Sequence, residues 1–228
     1  MDDVARVEIG IPGMDRLIEG GLPKGSINLV VGGTGTCKTL FSSQFLWHGL
    51  QTNQPGVYVT VEQETENILS DVSRFGFDFR DYIQQGKCVF LDELPSNFKD
   101  LEKSVFDNII KIGATRFVLD SLSVAIMGLK EIKDMSILRR EVFRFAKRLR
   151  SMGVTSILTT EIPETQPKAL TRFGFEEFVA DSIIVLYYLE YAAGEKTRSL
   201  LIRKMRKTNH ATDIYPFVIT KEGIIVKS

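Results

Sequence analysis

Residues 27–39 read Ile27-Asn28-Leu29-Val30-Val31-Gly32-Gly33-Thr34-Gly35-Thr36-Cys37-Lys38-Thr39, an apolar run, a glycine-rich loop and a Lys-Thr pair, and the helix-like stretch Leu40 to Leu50 follows. Strand, loop and helix in this order form the frame in which a backbone loop cradles phosphate. Glycines let successive N–H groups turn inward, and the following helix presents its positive end to the same anion. In that frame Lys38 reaches the β- and γ-phosphates of a nucleoside triphosphate, and the Thr39 hydroxyl ligates Mg²⁺. The cradle candidates are Gly32, Gly33, Thr34, Gly35, Thr36, Cys37, Lys38, Thr39 and Leu40. An ordinary glycine turn leaves the Lys-Thr pair at the mouth of the helix unaccounted for.

One letter departs from the pattern GxxxxGK[ST]: Cys37 stands where glycine is usual. Read as already helical, the position tolerates a small thiol at little cost, so phosphate binding is expected to survive. A thiol at a helix N-terminus is expected to have a lowered pKa, which would make Cys37 an oxidation-sensitive point. The plainer alternative is a tolerated packing residue. Cys88, in an apolar strand, reads as core.

Outward from the loop, strand-like runs alternate with amphipathic stretches: Ser26–Val31, Gly56–Val61, Cys88–Leu91, Arg116–Leu119, Thr155–Thr159 and Ser182–Tyr188. Such alternation predicts an α/β fold, a mainly parallel twisted sheet flanked by helices. Phe106, Ile109 and Ile110 recur at helical spacing, as do Ile137, Leu138, Val142, Phe145 and Leu149 between Asp134 and Met152. After Ser182, turn signals at Ala193-Gly194-Glu195, Thr208 to Asp213 and Glu222-Gly223 predict a C-terminal antiparallel β extension. The economical reading is one domain over residues 1–228.

Composition limits the partners. The 228 residues carry 29 basic and 29 acidic side chains, so no global field invites nucleic acid or an anionic membrane. Two cysteines form no disulfide framework, two histidines make a zinc site improbable, and no signal peptide, spanning run or lipidation signature is visible. A cytoplasmic location is expected.

Two carboxylates complete the expected chemistry. Phe117-Val118-Leu119-Asp120 is an apolar strand ending in an acid, suited to hold Mg²⁺ through its water shell; a capping Asp at the end of a core strand is the alternative. The strand Gly56–Val61 ends at Glu62, where a carboxylate on the binding edge of a parallel sheet can orient and deprotonate an attacking water. A first-turn acid of the helix Thr65–Arg74 is the competing role, and it suits Glu64 and Glu66 better.

The order of these blocks carries a family resemblance. Gly10-Ile11-Pro12-Gly13-Met14-Asp15, Gly20-Gly21-Leu22-Pro23-Lys24-Gly25, the cradle, Glu176-Glu177-Phe178-Val179-Ala180-Asp181, Lys204-Met205-Arg206, His210 and Tyr215-Pro216-Phe217 together resemble a KaiC-type domain of the RecA-like P-loop ATPases across nearly the whole chain. The resemblance implies ATP/ADP and Mg²⁺ as cofactors, ATP hydrolysis, and a self-associated ring, commonly a homohexamer, with nucleotide between subunits. It also implies that Lys204 and Arg206 reach the neighbour's γ-phosphate, and that Thr208, His210 and Thr220 touch its nucleotide nearer the base and sugar. Without the resemblance, Lys204 and Arg206 would read as solvated surface charges at the end of a strand.

Departures from the family narrow this expectation. Glu62-Gln63 stands where the clock proteins tend to carry two glutamates, so proton abstraction rests on Glu62 alone. The Ser-Thr pair that such proteins phosphorylate aligns with Glu177-Phe178, where no hydroxyl stands. The alternatives are therefore a slowly hydrolysing interaction module, read by an unidentified protein partner, and a DNA-processing motor. The motor reading rests on Arg139, Arg140, Arg144, Lys147, Arg148 and Arg150; interleaved apolar residues and the absence of an aromatic platform favour a solvated or intersubunit face.

Overall fold

The computed structural model describes residues 4–92, 97–128, 134–163, 169–190 and 196–227. A short hairpin pairs β1 (Arg6–Val7) with β2 (Leu22–Pro23). The main sheet contains β3 (Ile27–Gly32), β4 (Gly56–Thr60), β5 (Cys88–Leu91), β6 (Arg116–Asp120), β7 (Thr155–Glu161), β8 (Ser182–Glu190), β9 (Lys196–Met205), β10 (Ile214–Thr220) and β11 (Gly223–Val226). Its order is β11-β10-β9-β8-β3-β7-β6-β4-β5. Every pairing from β8 through β5 is parallel, and β9, β10 and β11 extend the sheet antiparallel. The expected β extension is thus present. Its Ala193-Gly194-Glu195 turn lies outside the described residues.

Helices cover both faces, which is why β3, β4 and β6 are buried at every residue rather than alternately. The period of two divides each strand between two cores. Ile27, Leu29 and Val31 of β3 join Phe117 and Leu119 of β6 against α4 (Phe98–Ile112) and α6 (Met135–Ser151). Val30, Tyr58, Val118 and Ile157 face the other way, toward α1 (Lys38–Gln51), α2 (Thr65–Ser73) and α3 (Phe79–Gln84). Asn97 and Asp134 accept backbone N–H bonds as N-caps of α4 and α6, and Gly113 closes α4 in the left-handed region. Ile110 and Ile137, which the spacing groups with the apolar faces, are turned outward at 64% and 38% exposure. Phe106, Ile109, Leu138, Val142, Phe145 and Leu149 make the contacts. Among the described residues, two shorter α-helices complete the set, α5 (Leu122–Gly128) and α7 (Glu176–Val179). Among the described residues, no helix is long and apolar enough to cross a membrane.

Candidate functional site: a phosphate loop and its distant complement

Register places the carboxyl ends of the parallel strands side by side. Gly32 lies opposite Glu161 and Leu186, and Thr60 opposite Asp120. From Gly32 the chain turns through residues 33–37 and enters α1 at Lys38, so the first N–H groups of α1 open onto this edge. The loop glycines have different duties. A Cβ on Gly32 would stand 2.4 Å from Thr36 Oγ1 and 2.8 Å from the Leu186 carbonyl, and Gly35 has φ +75°; Gly33 faces open space. Thr36 Oγ1 donates to Gly33 O at 2.8 Å, and Lys38 Nζ to Gly32 O and Gly33 O at 2.9 and 3.0 Å. Lys38 thus lies folded along the loop, its ammonium at the cradle.

Cys37 differs from expectation on two counts. It is the N-cap of α1 with φ 76° and ψ 31°, in the left-handed region, not the right-handed helix. Glycine is usual there because it adopts this conformation freely, whereas a residue with a Cβ is strained by roughly 1–2 kcal/mol. Its thiol is also pushed above its ordinary pKa: burial outweighs the opposing pull of the Arg198 and Lys38 charges. The expected low-pKa thiolate is absent. Arg198 comes from β9, two residues beyond the level of Gly32, and its guanidinium lies 4.7 Å from the centroid of the Tyr188 ring. Cys88 is buried and its thiol raised to about 12 by burial, as befits a core residue.

Asp120 is the hub of the edge. Thr39 Oγ1 donates to its Oδ2 at 2.7 Å, Tyr58 OH to the same oxygen at 2.9 Å, and Thr159 Oγ1 to Oδ1 at 2.5 Å. Burial, with the Asp120 carboxylate adding to it, raises the Tyr58 phenol well above its ordinary pKa, so it remains a donor. The Thr39 hydroxyl and Asp120 carboxylate form the all-oxygen donor set that a hard divalent cation such as Mg²⁺ prefers. Glu62, two residues past β4, is exposed and accepts a hydrogen bond from Ser121 Oγ; the backbone holds the two strand ends together through Val61 N to Asp120 O at 2.9 Å. Lys38, Thr39, Asp120 and Glu62 are therefore brought to one edge.

Lys204 and Arg206 are at the other. Met205 pairs with Ser182, which pairs with Asn28, whereas Gly32 is level with Leu186 and Leu200. Four residues of β3, roughly 13 Å at strand rise, separate the two levels. Lys204 Nζ donates to Glu177 O and Ala180 O at 3.0 and 2.7 Å, and its pKa is lowered by burial and by the neighbouring Arg206 charge. Arg206 holds Asp181 at 3.6 Å with its side chain 59% exposed. Thr208 accepts from Arg6 Nη1 at 2.9 Å, and His210 Nδ1 lies 2.9 Å from Ala211 O in the same loop. Thr220 does not join them. Tyr215 is level with Leu200 and Gly32, and β10 carries Thr220 five residues further toward the cradle side.

Other candidates are accounted for by packing. Arg144 pairs with Glu102 and Glu141, Arg150 with Asp181, and Arg148 lies 3.9 Å from the Phe106 ring centroid, so much of the basic helix is satisfied within the chain. Trp47 stacks on Phe77, and His48 meets Glu8. The hydroxyls of Ser121, Thr159 and Thr171 are buried and bonded to carboxylates. Tyr58 and Thr159 escape sequence reasoning as residues of this edge, because an aromatic or a threonine within an apolar strand carries the signal of a core residue.

Fold and site together define a P-loop protein of the RecA-like α/β class. A family model described as "ATPase: KaiC" matches residues 7–228. The circadian clock protein KaiC3 of Synechocystis sp. is 35% identical over 99% of this chain and 46% of that protein. The chain thus spans about half the length of the clock proteins that it matches. A UPF0273 protein of Aeropyrum pernix is 35% identical over 98% of this chain and 94% of its own length. The crystal structure of a KaiC-like protein from Pyrococcus horikoshii superposes with a TM-score of 0.89 at 39% identity, covering 99% of this chain and 100% of that one. The chain belongs to the KaiC family of ATPases.

Proposed function

We propose that this chain is a cytoplasmic, ring-forming Mg²⁺-dependent ATPase, a single KaiC-type unit that assembles as a homohexamer with ATP between subunits. The observation that carries the reading is the convergence of Lys38, Thr39, Asp120 and Glu62 at one sheet edge in a member of this family. The loop N–H groups and the start of α1 bind the phosphates, and Lys38 exchanges the Gly32 and Gly33 carbonyls for β- and γ-phosphate oxygens. Thr39 and Asp120 fit Mg²⁺, which when bound neutralises charge on those oxygens. Glu62, oriented by Ser121, takes the proton of the attacking water. Lys204 and Arg206 stand too far along the sheet to serve their own cradle. Their distance supports a role in trans, contacting the γ-phosphate held by the adjacent subunit, with Thr208 and His210 alongside. Arg198, whose charge acts on the Cys37 thiol, flanks the cradle on its own subunit, and β10 carries Thr220 toward that side of the sheet.

Phosphate release by the assembled protein tests this: turnover should require Mg²⁺ and collapse in Glu62→Gln. A second reading, a nucleotide-controlled interaction module with very slow hydrolysis, draws support from Gln63, which stands beside Glu62 and cannot take a proton, and from Cys37 in the cradle. Nucleotide binding without glutamate-dependent turnover would select it.

A further inference from the structure

Below the cradle, the Asp120 carboxylate receives two hydroxyls from strands on either side of its own. Tyr58 comes from β4 and Thr159 from β7, and β6 lies between them. Tyr58 is two residues behind Asp120 in register, opposite Val118 and on the same sheet face, which brings its phenol under the carboxylate rather than beside it. The ring is fully buried and stacked on Phe90, with centroids 4.9 Å apart and planes 10° from parallel. A phenylalanine would fill that space. The additional hydroxyl must be desolvated there, and the bond to Asp120 Oδ2 at 2.9 Å satisfies it.

A carboxylate offers about four lone-pair directions. Thr39 and Tyr58 take two on Oδ2, and Thr159 takes one on Oδ1, so the group cannot rotate without breaking a bond. Only Thr39 belongs to the phosphate loop. The other two donors fix which way the remaining lone pair points.

We propose that Tyr58, with Thr159 as its counterpart on the far side, is a positioning residue that orients Asp120 toward the metal's water shell. The inference rests on the nucleotide-and-metal reading above and goes beyond it by assigning metal affinity to two buried strand hydroxyls. Outer partners of metal-binding groups typically change metal affinity by 10–100-fold, and a single hydroxyl acting through a carboxylate belongs at the lower end.

The test is equilibrium binding of a fluorescent ADP analogue, titrated with Mg²⁺ and repeated in EDTA, on wild type, Tyr58→Phe, Thr159→Val and Thr159→Ser. Thermal unfolding monitors the fold of each. Tyr58→Phe and Thr159→Val should raise the Mg²⁺ concentration at half-effect by about tenfold while leaving metal-free binding unchanged. Thr159→Ser, which retains the hydroxyl, should titrate like wild type. A purely structural role would lower the unfolding temperature without moving the Mg²⁺ midpoint. Folded Tyr58→Phe and Thr159→Val proteins with wild-type midpoints overturn the proposal. Should wild type bind nucleotide without any response to Mg²⁺, the underlying reading fails and takes the Tyr58 assignment with it.

Discussion

The two edges of the parallel sheet are built differently. At the carboxyl edge, half-buried Thr39 joins buried Tyr58, Thr159 and Asp120 in one web, with Ser121 and Glu62 next to it and Lys38 folded onto the loop. At the opposite edge, Arg206 is mostly exposed and Lys204 is held by two backbone carbonyls. A web of short bonds fixes geometry before a ligand arrives, whereas exposed cations on strand ends contribute little until something desolvates them. The difference suggests a division of labour: one edge carries a preorganised cradle, and the other carries charges that gain strength only against a partner.

The largest expected effect is at the exposed edge. If Arg206 completes a neighbour's site, Arg206→Ala should lower turnover by about 10³–10⁵, on the order of 4–7 kcal/mol of transition-state stabilisation, while nucleotide binding to the isolated chain persists. Steady-state phosphate release beside equilibrium binding would separate the two. At the cradle edge, Glu62→Gln should cost about 10²–10⁴ in kcat with KM little changed, since a general base acts in the transition state. A larger fall in binding than in kcat would reassign Glu62 to substrate contact.

Smaller effects sharpen the picture of the loop. Gly32→Ala must displace Thr36 or the Leu186 carbonyl and should destabilise the fold by about 1–3 kcal/mol in urea unfolding. Gly33→Ala meets nothing and should leave stability within about 0.5 kcal/mol, while weakening nucleotide binding if phosphate approaches over that open face. Cys37→Gly relieves a strained left-handed residue, offset in part by the greater freedom of glycine in the unfolded chain. A net gain of about 0.5–1 kcal/mol should raise the melting temperature by about 1–4 °C in calorimetry.

The same contrast governs what was legible in the sequence. Backbone-built features announce themselves: the glycine loop, the run to Asp120, and the alternation of apolar strands with amphipathic helices all follow from local rules of φ/ψ and periodicity. The Asp120 web does not, because Tyr58, Thr159 and Thr39 meet only after β4, β6, β7 and α1 are assembled. Arg116 is a similar case. It opens β6 as an apparently ordinary strand-end charge, yet is 1% exposed, bonded to Phe45 O and Gln54 Oε1, with burial lowering its pKa to about 10. Reading Cys37 as helical overlooks the signal in the pattern itself, since glycine is usual at that place because the backbone there is left-handed. Family resemblance groups Thr220 with Thr208 and His210, and the antiparallel register of β9 and β10 places it at a different level of the sheet from them.

On the proposed reading, one working site takes its cradle from one subunit and its finger from another, and mixing two inactive variants distinguishes this from a site contained in one chain. Lys38→Ala lacks a working cradle but retains Arg206; Arg206→Ala retains the cradle but lacks the finger. Co-assembled at equal amounts, random assortment leaves about a quarter of the interfaces with both halves intact, so turnover should recover to about a quarter of wild type. Turnover of the mixture no higher than the mean of the two parents would mean that the site is not shared between subunits.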